Sequence, residues 1–469
     1  GTISYDLSGQ GALKKIESTA LSTGGDDTVA LGDGDITFIG GYGRDTLSAD
    51  SSRSAMRIAA GDNALLAFAG DTHVTTQAED ILLVQTLDLT STTGDADRIR
   101  LGTVGGAQGD MGVALVVGGI GADNLSIQGA SADSVVLGDN GQISILQTPA
   151  LTLPSGQVAI QWLNGQPIPA QTGVQTSYID AVASLTPELG AGDTIKTLPG
   201  RQVVIAGQGA DTITAGSGNS VIFGDSARLS YAAGVLRQAL SIGQAQGGAD
   251  SITVGTGSTS IDGHRILVGG FGSDDINITA VMGSSTALDA LRERFIAGDN
   301  ASINLDASGR IIQTSTLDTD NATGGDDTIL LSVNGNQAGI TDINITAGGV
   351  GNDSVIVNSA APYSGISSGD GLEFRRSDGA QTAGARYQTL YAAVNQPFLG
   401  GNDIMRQGSG NMVIFGGAGA DRIDSSTGTN DNSIVFGDAG QASFDAQGTG
   451  QLVQISGLAE TSGGADAVT

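Results

Sequence analysis

Apolar residues recur along this chain at intervals of nine. Between Gly24 and Asp50 they stand at Val29, Phe38 and Leu47, with Gly25, Gly34 and Gly43 in step and Asp27 and Asp45 eighteen apart. This pattern predicts a glycine turn, an acid beside it, and a short strand with one inward side chain. Two such units make one coil of a β-solenoid, in which like positions stack. The figure returns at Gly401, Gly410 and Gly419 with Met405, Ile414 and Ile423, and near the middle at Ile195, Val204 and Ile213. The predicted pairings are Asp27 over Asp45, Asp193 over Asp211 and Asp403 over Asp421.

A longer period lies over the short one, with three landmarks per module. The first is GGxD or a near variant, at Asp27, Asp97, Asp193, Asp250, Asp327, Asp403 and, opening a seventh module, Asp466. The second is GGxGxD or a near variant, at Asp45, Asp123, Asp211, Asp274, Asp353 and Asp421. The third is an apolar strand ending in Gly-Asp, often Gly-Asp-Asn, at Asp62, Asp139, Asp225, Asp299, Asp370 and Asp438. Residues 1–469 therefore read as one continuous repeat array, with modules starting near 24, 94, 190, 247, 324, 400 and 463. After the third landmark, alternation about a Gly-bearing turn predicts hairpins, as in Ala301–Thr314 and Gln441–Ser456, lying along the solenoid or projecting from it.

Irregular insertions are predicted at about 146–189, 281–296 and 361–399. The first holds Trp162 and five of the eight prolines. The second contains Ala287–Phe295, with Leu288, Leu291 and Phe295 on one face of a short helix at best. The fold class is thus all-β, a parallel β-roll or β-helix solenoid with inserted hairpins and loops.

Composition narrows the function. Glycine supplies 75 of 469 residues without the every-third-residue period of collagen, and aromatics are only 4%, which suits thin layers of Val, Ile and Leu. The formal charge of -29 comes mainly from Asp beside Gly in turns. Such a surface repels nucleic acid and anionic lipid and attracts divalent cations. The absence of cysteine removes disulfides and thiolate metal sites. No apolar run approaches the roughly 18 residues of a membrane span. No basic-then-apolar leader begins the chain, and Gly463–Val468 opens a unit and stops, so the stretch reads as part of something longer. Catalytic chemistry is thinly provided. The two histidines are His73 and His264, and no Gly-x-Ser-x-Gly elbow, His-Glu-x-x-His or phosphate loop occurs, so the chain reads as not an enzyme.

The acidic turns suit calcium, which takes six to eight oxygen ligands from carboxylates and carbonyls. Glycine reaches backbone angles that turn carbonyls inward, and each Asp adds charge. The twelve aspartates of the first two landmarks, Asp27 through Asp421, are the predicted calcium ligands. The Gly-Asp positions are further candidates, with an Asx turn in which the residue caps its own backbone as the other reading.

The turns Gly40–Leu47 (GGYGRDTL) and Gly416–Ile423 (GGAGADRI) resemble the RTX, or hemolysin-type, calcium-binding repeat family, whose signature is GGxGxDxUx with U apolar. Gly118–Leu125, Gly348–Val355, Gly269–Asp274 and Ala206–Ile213 are close variants. The long module resembles the repeats of very large proteins exported by Gram-negative bacteria. The resemblance implies a β-roll that folds on meeting extracellular calcium, and export by a type I system. The function expected is a calcium-binding extracellular structural segment: a stalk, adhesin, surface-layer or filament component that associates with itself. The alternative is a module binding a cell-surface glycan or protein through the irregular segments.

Overall fold

A computed structural model describes residues 1–5, 13–50, 56–69, 81–88, 90, 93–102, 110–128, 131–147, 159–161, 176–255, 265–282, 293–307, 309–320, 322–335, 343–359, 363–376, 390–395, 398–425, 433–444, 452–458 and 463–469. They form β-strands and turns, with no helix among the described residues. The chain divides into two compact units: Gly1–Ala215 with Asp225–Gln238 and Ala307–Gly309, and Gly216–Gly224 with Ala239–Asp306 and Arg310–Thr469. Each is a β-solenoid built from the same coil.

The first unit shows how the nine-residue period becomes a coil. Thr28–Leu31, Ile36–Ile39, Thr46–Ala49 and Met56–Ala60 are successive strands separated by turns. Alternate strands pair in parallel, so Thr28 lies beside Thr46 and Val29 beside Leu47, eighteen residues on. Ile36–Ile39 pairs with Met56–Ala60 in a second parallel sheet. The chain then makes a hairpin, Ala64–Phe68 against Ile81–Thr86, before returning to the first sheet at Arg98–Leu101. Longer spacing between landmarks does not disturb the register: Leu125 pairs with Ile99, and Ile195 with Leu125. Turn insertions are tolerated because loop-closure entropy grows slowly with length.

The hairpins do not project. They pair edge to edge into a third, antiparallel sheet, Leu13–Glu17 meeting Ala64–Phe68, and Ile81–Thr86 meeting Gly141–Gln147. This sheet explains the burial patterns. Strands of the first sheet bury alternate residues, as in Arg98–Leu101, and so do hairpin strands such as Ala64–Phe68. Met56–Ala60 and Gln202–Ile205 are buried at every position, because the second sheet lies between the other two. Its strands carry apolar runs such as Val203–Ile205, as expected of a parallel sheet covered on both faces, and bury polar residues such as Arg57 and Gln202 beside them.

The second unit repeats the arrangement. Its outer parallel sheet runs from Ser251–Val254 to Ala467–Val468, and its middle sheet from Ser220–Phe223 to Ile434–Phe436. The two predicted hairpins form, with Ala301 beside Thr316 and Gln441 beside Ser456. A buried ion pair fastens the middle sheet to the hairpin sheet: Arg376 Nη1 donates to Glu293 Oε1 (2.7 Å), and Ile311 N–H donates to Glu293 Oε2 (2.6 Å).

Several segments differ from expectation. Glu293–Phe295, the end of the expected helix, belongs to the strand Glu293–Asp299, which pairs with Arg265–Gly270 and Ile343–Ala347. Helix-forming residue types are overridden there by pairing on both edges, with Phe295 fully buried. Within 361–399, Tyr363–Ser368 is a middle-sheet strand, and Leu372–Arg376 and Leu390–Val394 form a hairpin. The run Tyr-Ser-Gly-Ile-Ser-Ser is too small and polar to read as a buried strand, and its neighbours Ile345 and Val413 hold Ile366 in register. Within 146–189, Thr176–Ser184 is a hairpin strand. Trp162, His73 and His264, and residues 287–292 of the expected helix, lie outside the described residues. Among the described residues no helix is long and apolar enough to cross a membrane.

Candidate functional site

Each coil brings its first-landmark or second-landmark aspartate to the same place, just before an outer-sheet strand. The three predicted pairings are present, and the file runs further than predicted. In the first unit the N–H of Asp27 donates to Oδ1 of Asp45, Asp45 to Asp97, Asp97 to Asp123, Asp123 to Asp193 and Asp193 to Asp211, at 2.5–2.7 Å. In the second unit the same bond links Asp250, Asp274, Asp327, Asp353, Asp403, Asp421 and Asp466 in order, at 2.7–3.0 Å. The carbonyls of Asp27, Asp45, Asp97, Asp123 and Asp193, and of Asp250 through Asp421 in the second unit, also accept from the following outer-sheet strand, as Asp27 O does from Thr46 N–H (2.8 Å). One carboxylate per rung therefore caps the backbone of its neighbour. The file is exposed at Asp27 and half-buried at Asp466; the aspartates between are at most 3% exposed.

The second carboxylate oxygen has no hydrogen-bond donor at Asp45, Asp97, Asp123, Asp193, Asp327, Asp353 or Asp403. It packs instead against a glycine at the end of a middle-sheet strand. A β-carbon on Gly61 would lie 2.2 Å from Asp97 Oδ2 and 2.5 Å from the carbonyl oxygen of Gly118. Gly40, Gly118, Gly138, Gly298, Gly348 and Gly369 stand in the same relation to Asp45, Asp123, Asp193, Asp327, Asp353 and Asp403. At each rung a carboxylate oxygen and a carbonyl oxygen thus converge on a glycine α-carbon, the close approach that only glycine allows.

Burial dominates the electrostatics. Loss of water raises the carboxyl of Asp45 to about 6, Asp123 and Asp353 to about 7, Asp97 to about 8 and Asp403 to about 9, against an ordinary value of 3.8. Asp193 and Asp327 are pushed well above the usual range by burial and then by neighbouring aspartates. Backbone N–H donors act in the other direction but do not win.

The Gly-Asp landmarks do something else. Asp62 Oδ2 accepts from Ile120 N–H (2.5 Å) and its Oδ1 from Asp95 N–H (3.3 Å). Asp139 accepts from Gln208 and Ala191, Asp299 from Val350, and Asp370 from Ala418 and Gly401. These donors sit in the glycine turns of the following module. The carboxylate is therefore a clasp between modules and not a local Asx turn. Burial, and then the charge of Asp97 or Asp403, raises both Asp62 and Asp370 to about 10. Asp225 is buried, whereas Asp438 is exposed.

Where asparagine follows the Gly-Asp pair at Asn63 and Asn300, it ties the module to the aspartate that closes its hairpin, whereas Asn140 donates to Asp88 O and Thr186 Oγ1. Asn63 donates from its backbone to Asp88 Oδ2 (2.9 Å) and from Nδ2 to Asp88 Oδ1 (2.8 Å); Asn300 Nδ2 donates to Asp318 Oδ1 (2.9 Å). Asp88 and Asp318 are absent from the predicted site. Their signal was the shared tripeptide Thr86-Leu87-Asp88 and Thr316-Leu317-Asp318, each closing a hairpin.

The donor set can be tested against the calcium that the RTX resemblance implies. Among the described residues, no group of three or more His, Cys, Asp or Glu side chains is arranged to hold a metal ion. The oxygens that do converge are all hard donors, carboxylate and carbonyl. The groups acting on the carboxylates of Asp45, Asp97, Asp123, Asp193, Asp327, Asp353 and Asp403 are backbone amides and other aspartates. Oxygen donors of this kind are those a hard cation takes. Comparison with family models, curated proteins and solved structures returns no match.

Proposed function

We propose that this chain is a calcium-stabilised structural repeat segment of an exported, extracellular or cell-surface protein. The observation that supports this most is the set of deeply buried Oδ2 atoms without a donor at Asp45, Asp97, Asp123, Asp193, Asp327, Asp353 and Asp403. A buried carboxylate without a countercharge is costly and is relieved by a proton or a cation. At neutral pH burial lets Asp97 and Asp403 keep a proton, and millimolar calcium competes for the same oxygens at weak sites of this kind, with Kd on the order of 10⁻⁴–10⁻³ M. Calcium would be held by Oδ2 of Asp45, Asp97, Asp123, Asp193, Asp327, Asp353 and Asp403, with carbonyl oxygens of the adjoining glycine turns. It would neutralise the file and so favour the coiled state. The chain's own part is to fix the oxygens: Oδ1 is held by an N–H from the preceding rung, and the glycine column keeps Oδ2 in line.

Thermal unfolding followed by circular dichroism tests this reading in calcium, in magnesium and in chelator. A melting temperature raised by calcium and not by magnesium is the expected result. Equal melting in calcium and chelator would refute it.

A further inference from the structure

We infer that the outward face of the first unit's outer sheet is a docking surface for a linear acidic polysaccharide. The inference rests on the reading of the chain as an extracellular or cell-surface segment, where such polymers are met, and it names the residues that would meet one.

Strands Thr46–Ala49, Arg98–Leu101, Asn124–Ile127, Thr194–Lys196 and Thr212–Ala215 lie side by side in parallel. In each, the second residue is buried and the first and third look outward. Pairing in register stacks the outward residues in two columns that cross the strands. One column holds Thr46, Arg98, Asn124 and Thr194 in order. The other holds Ser48, Arg100, Ser126 and Lys196. The chain has a net charge of -29, yet none of these five strands contains Asp or Glu. The aspartate just before each strand is at most 3% exposed, so it does not offset the cations at the surface. The second unit provides the contrast. Its outer-sheet strands carry Asp275 and Asp424, and Arg406 Nε lies 3.8 Å from Asp424 Oδ2. The cationic face is therefore a property of the first unit and not of the coil.

Arg100 and Lys196 share a column with Ser126 between them, two strand spacings or about 9.5 Å apart. Arg98 stands two residues along the strand from Arg100, about 6.6 Å away. Arg100 is held across the face: its Nη2 donates to Ser48 Oγ and its Nη1 to the carbonyl of Gly102. Ser126 Oγ accepts from Gln128 Nε2 at 2.9 Å. Arg98 and Lys196 are exposed. A polymer lying along the columns, with carboxylates recurring at the Arg100–Lys196 spacing, meets one cation and then the next through charge-assisted hydrogen bonds. The hydroxyl and amide side chains between them pair with sugar hydroxyls. Other polyanions fit less well. The two columns hold no aromatic ring for a base to stack on and no apolar side chain for a lipid surface. The net charge of -29 opposes a partner as densely charged as nucleic acid.

Titration calorimetry of the full chain in calcium, with hyaluronan oligosaccharides carrying one carboxylate per disaccharide, is the experiment. Wild type should bind at low salt and weaken as salt rises. Carboxyl-reduced hyaluronan should not bind. Arg98→Gln and Lys196→Gln should each weaken binding about threefold, and the double variant about tenfold, the worth of exposed ion pairs. Both side chains are exposed, so both variants should melt as wild type does, which separates docking from folding. Arg422→Gln, on the second unit's face, should bind as wild type does. A wild type that binds no hyaluronan at low salt would overturn the inference, as would equal binding by the double variant. Tighter binding of polyglutamate or of a single-stranded oligonucleotide than of hyaluronan would overturn the choice of partner. Calcium-raised melting without hyaluronan binding would remove this inference alone; hyaluronan binding with no calcium effect on melting would remove the calcium reading alone.

Discussion

Three glycine-to-alanine substitutions separate the ways glycine serves this fold. At Gly61 a β-carbon would sit 2.2 Å from Asp97 Oδ2 and 2.5 Å from Gly118 O, both far inside contact distance. Neither neighbour can give way freely. Asp97 Oδ1 holds the N–H of Asp45 at 2.6 Å, and Gly118 O holds the N–H of Asp62 at 3.1 Å. Overpacking costs about 1–3 kcal/mol. Losing a buried hydrogen bond to a carboxylate adds about 1–3 kcal/mol. Gly61→Ala should therefore destabilise by about 2–6 kcal/mol. Gly34 has φ +133° with nothing within 4 Å of a β-carbon, so Gly34→Ala carries only backbone strain, about 1–3 kcal/mol. Gly25 has neither a close neighbour nor a positive φ, and Gly25→Ala should be neutral within about 0.5 kcal/mol. Urea unfolding followed by circular dichroism measures all three. If Gly61→Ala unfolds with the midpoint of Gly25→Ala, the packing of carboxylate against glycine is wrong.

Three other outcomes follow from the same geometry. In chelator, stability should fall as pH rises from about 4 towards 8. The unfolded carboxyls lose their protons near their ordinary value, while folded Asp123 and Asp97 keep theirs to about 7 and about 8. Each such group costs about 1.4 kcal/mol per pH unit over that window, and a chelated chain melting higher at pH 8 than at pH 5 would contradict this. Asp97→Asn keeps an acceptor for Asp45 N–H and turns the orphaned oxygen into a donor facing Gly118 O. At pH 8 it should raise the midpoint in chelator and shrink the gain from calcium, as paired melts would show. Arg376→Met removes one partner of a buried ion pair whose other member, Glu293, is 2% exposed. It should cost about 3–5 kcal/mol in urea unfolding, and a loss under 1 kcal/mol would show that the pair does not fasten the two sheets.

Much of the coil was legible because its rules are local. The nine-residue spacing of Val29, Phe38 and Leu47 dictates alternate strands. The eighteen-residue spacing of Asp27 and Asp45 dictates their register. The hairpins at Ala301 and Gln441 announced themselves by alternation. Longer-range facts were not legible. Nothing near Asp62 says that its partner is the N–H of Ile120, because the clasp is set by how many rungs intervene and not by sequence distance. Tyr363–Ser368 and Glu293–Phe295 were misread because their own residue types favour a loop and a helix, and neighbouring strands decide otherwise. The candidate aspartates were visible as a periodic set. Their division into a capping file and a set of clasps was visible only once the rungs were stacked.

The capping file is the central claim, and amide hydrogen exchange tests it most directly. In wild type the N–H of Asp97 is held by Asp123 Oδ1 at 2.7 Å, in a position 3% exposed. Exchange read by mass spectrometry in wild type and Asp123→Ala should show protection lost first at Asp97 and the adjoining turn, while hairpin strands such as Ala64–Phe68 keep theirs. Unchanged protection at Asp97 in Asp123→Ala would contradict the account.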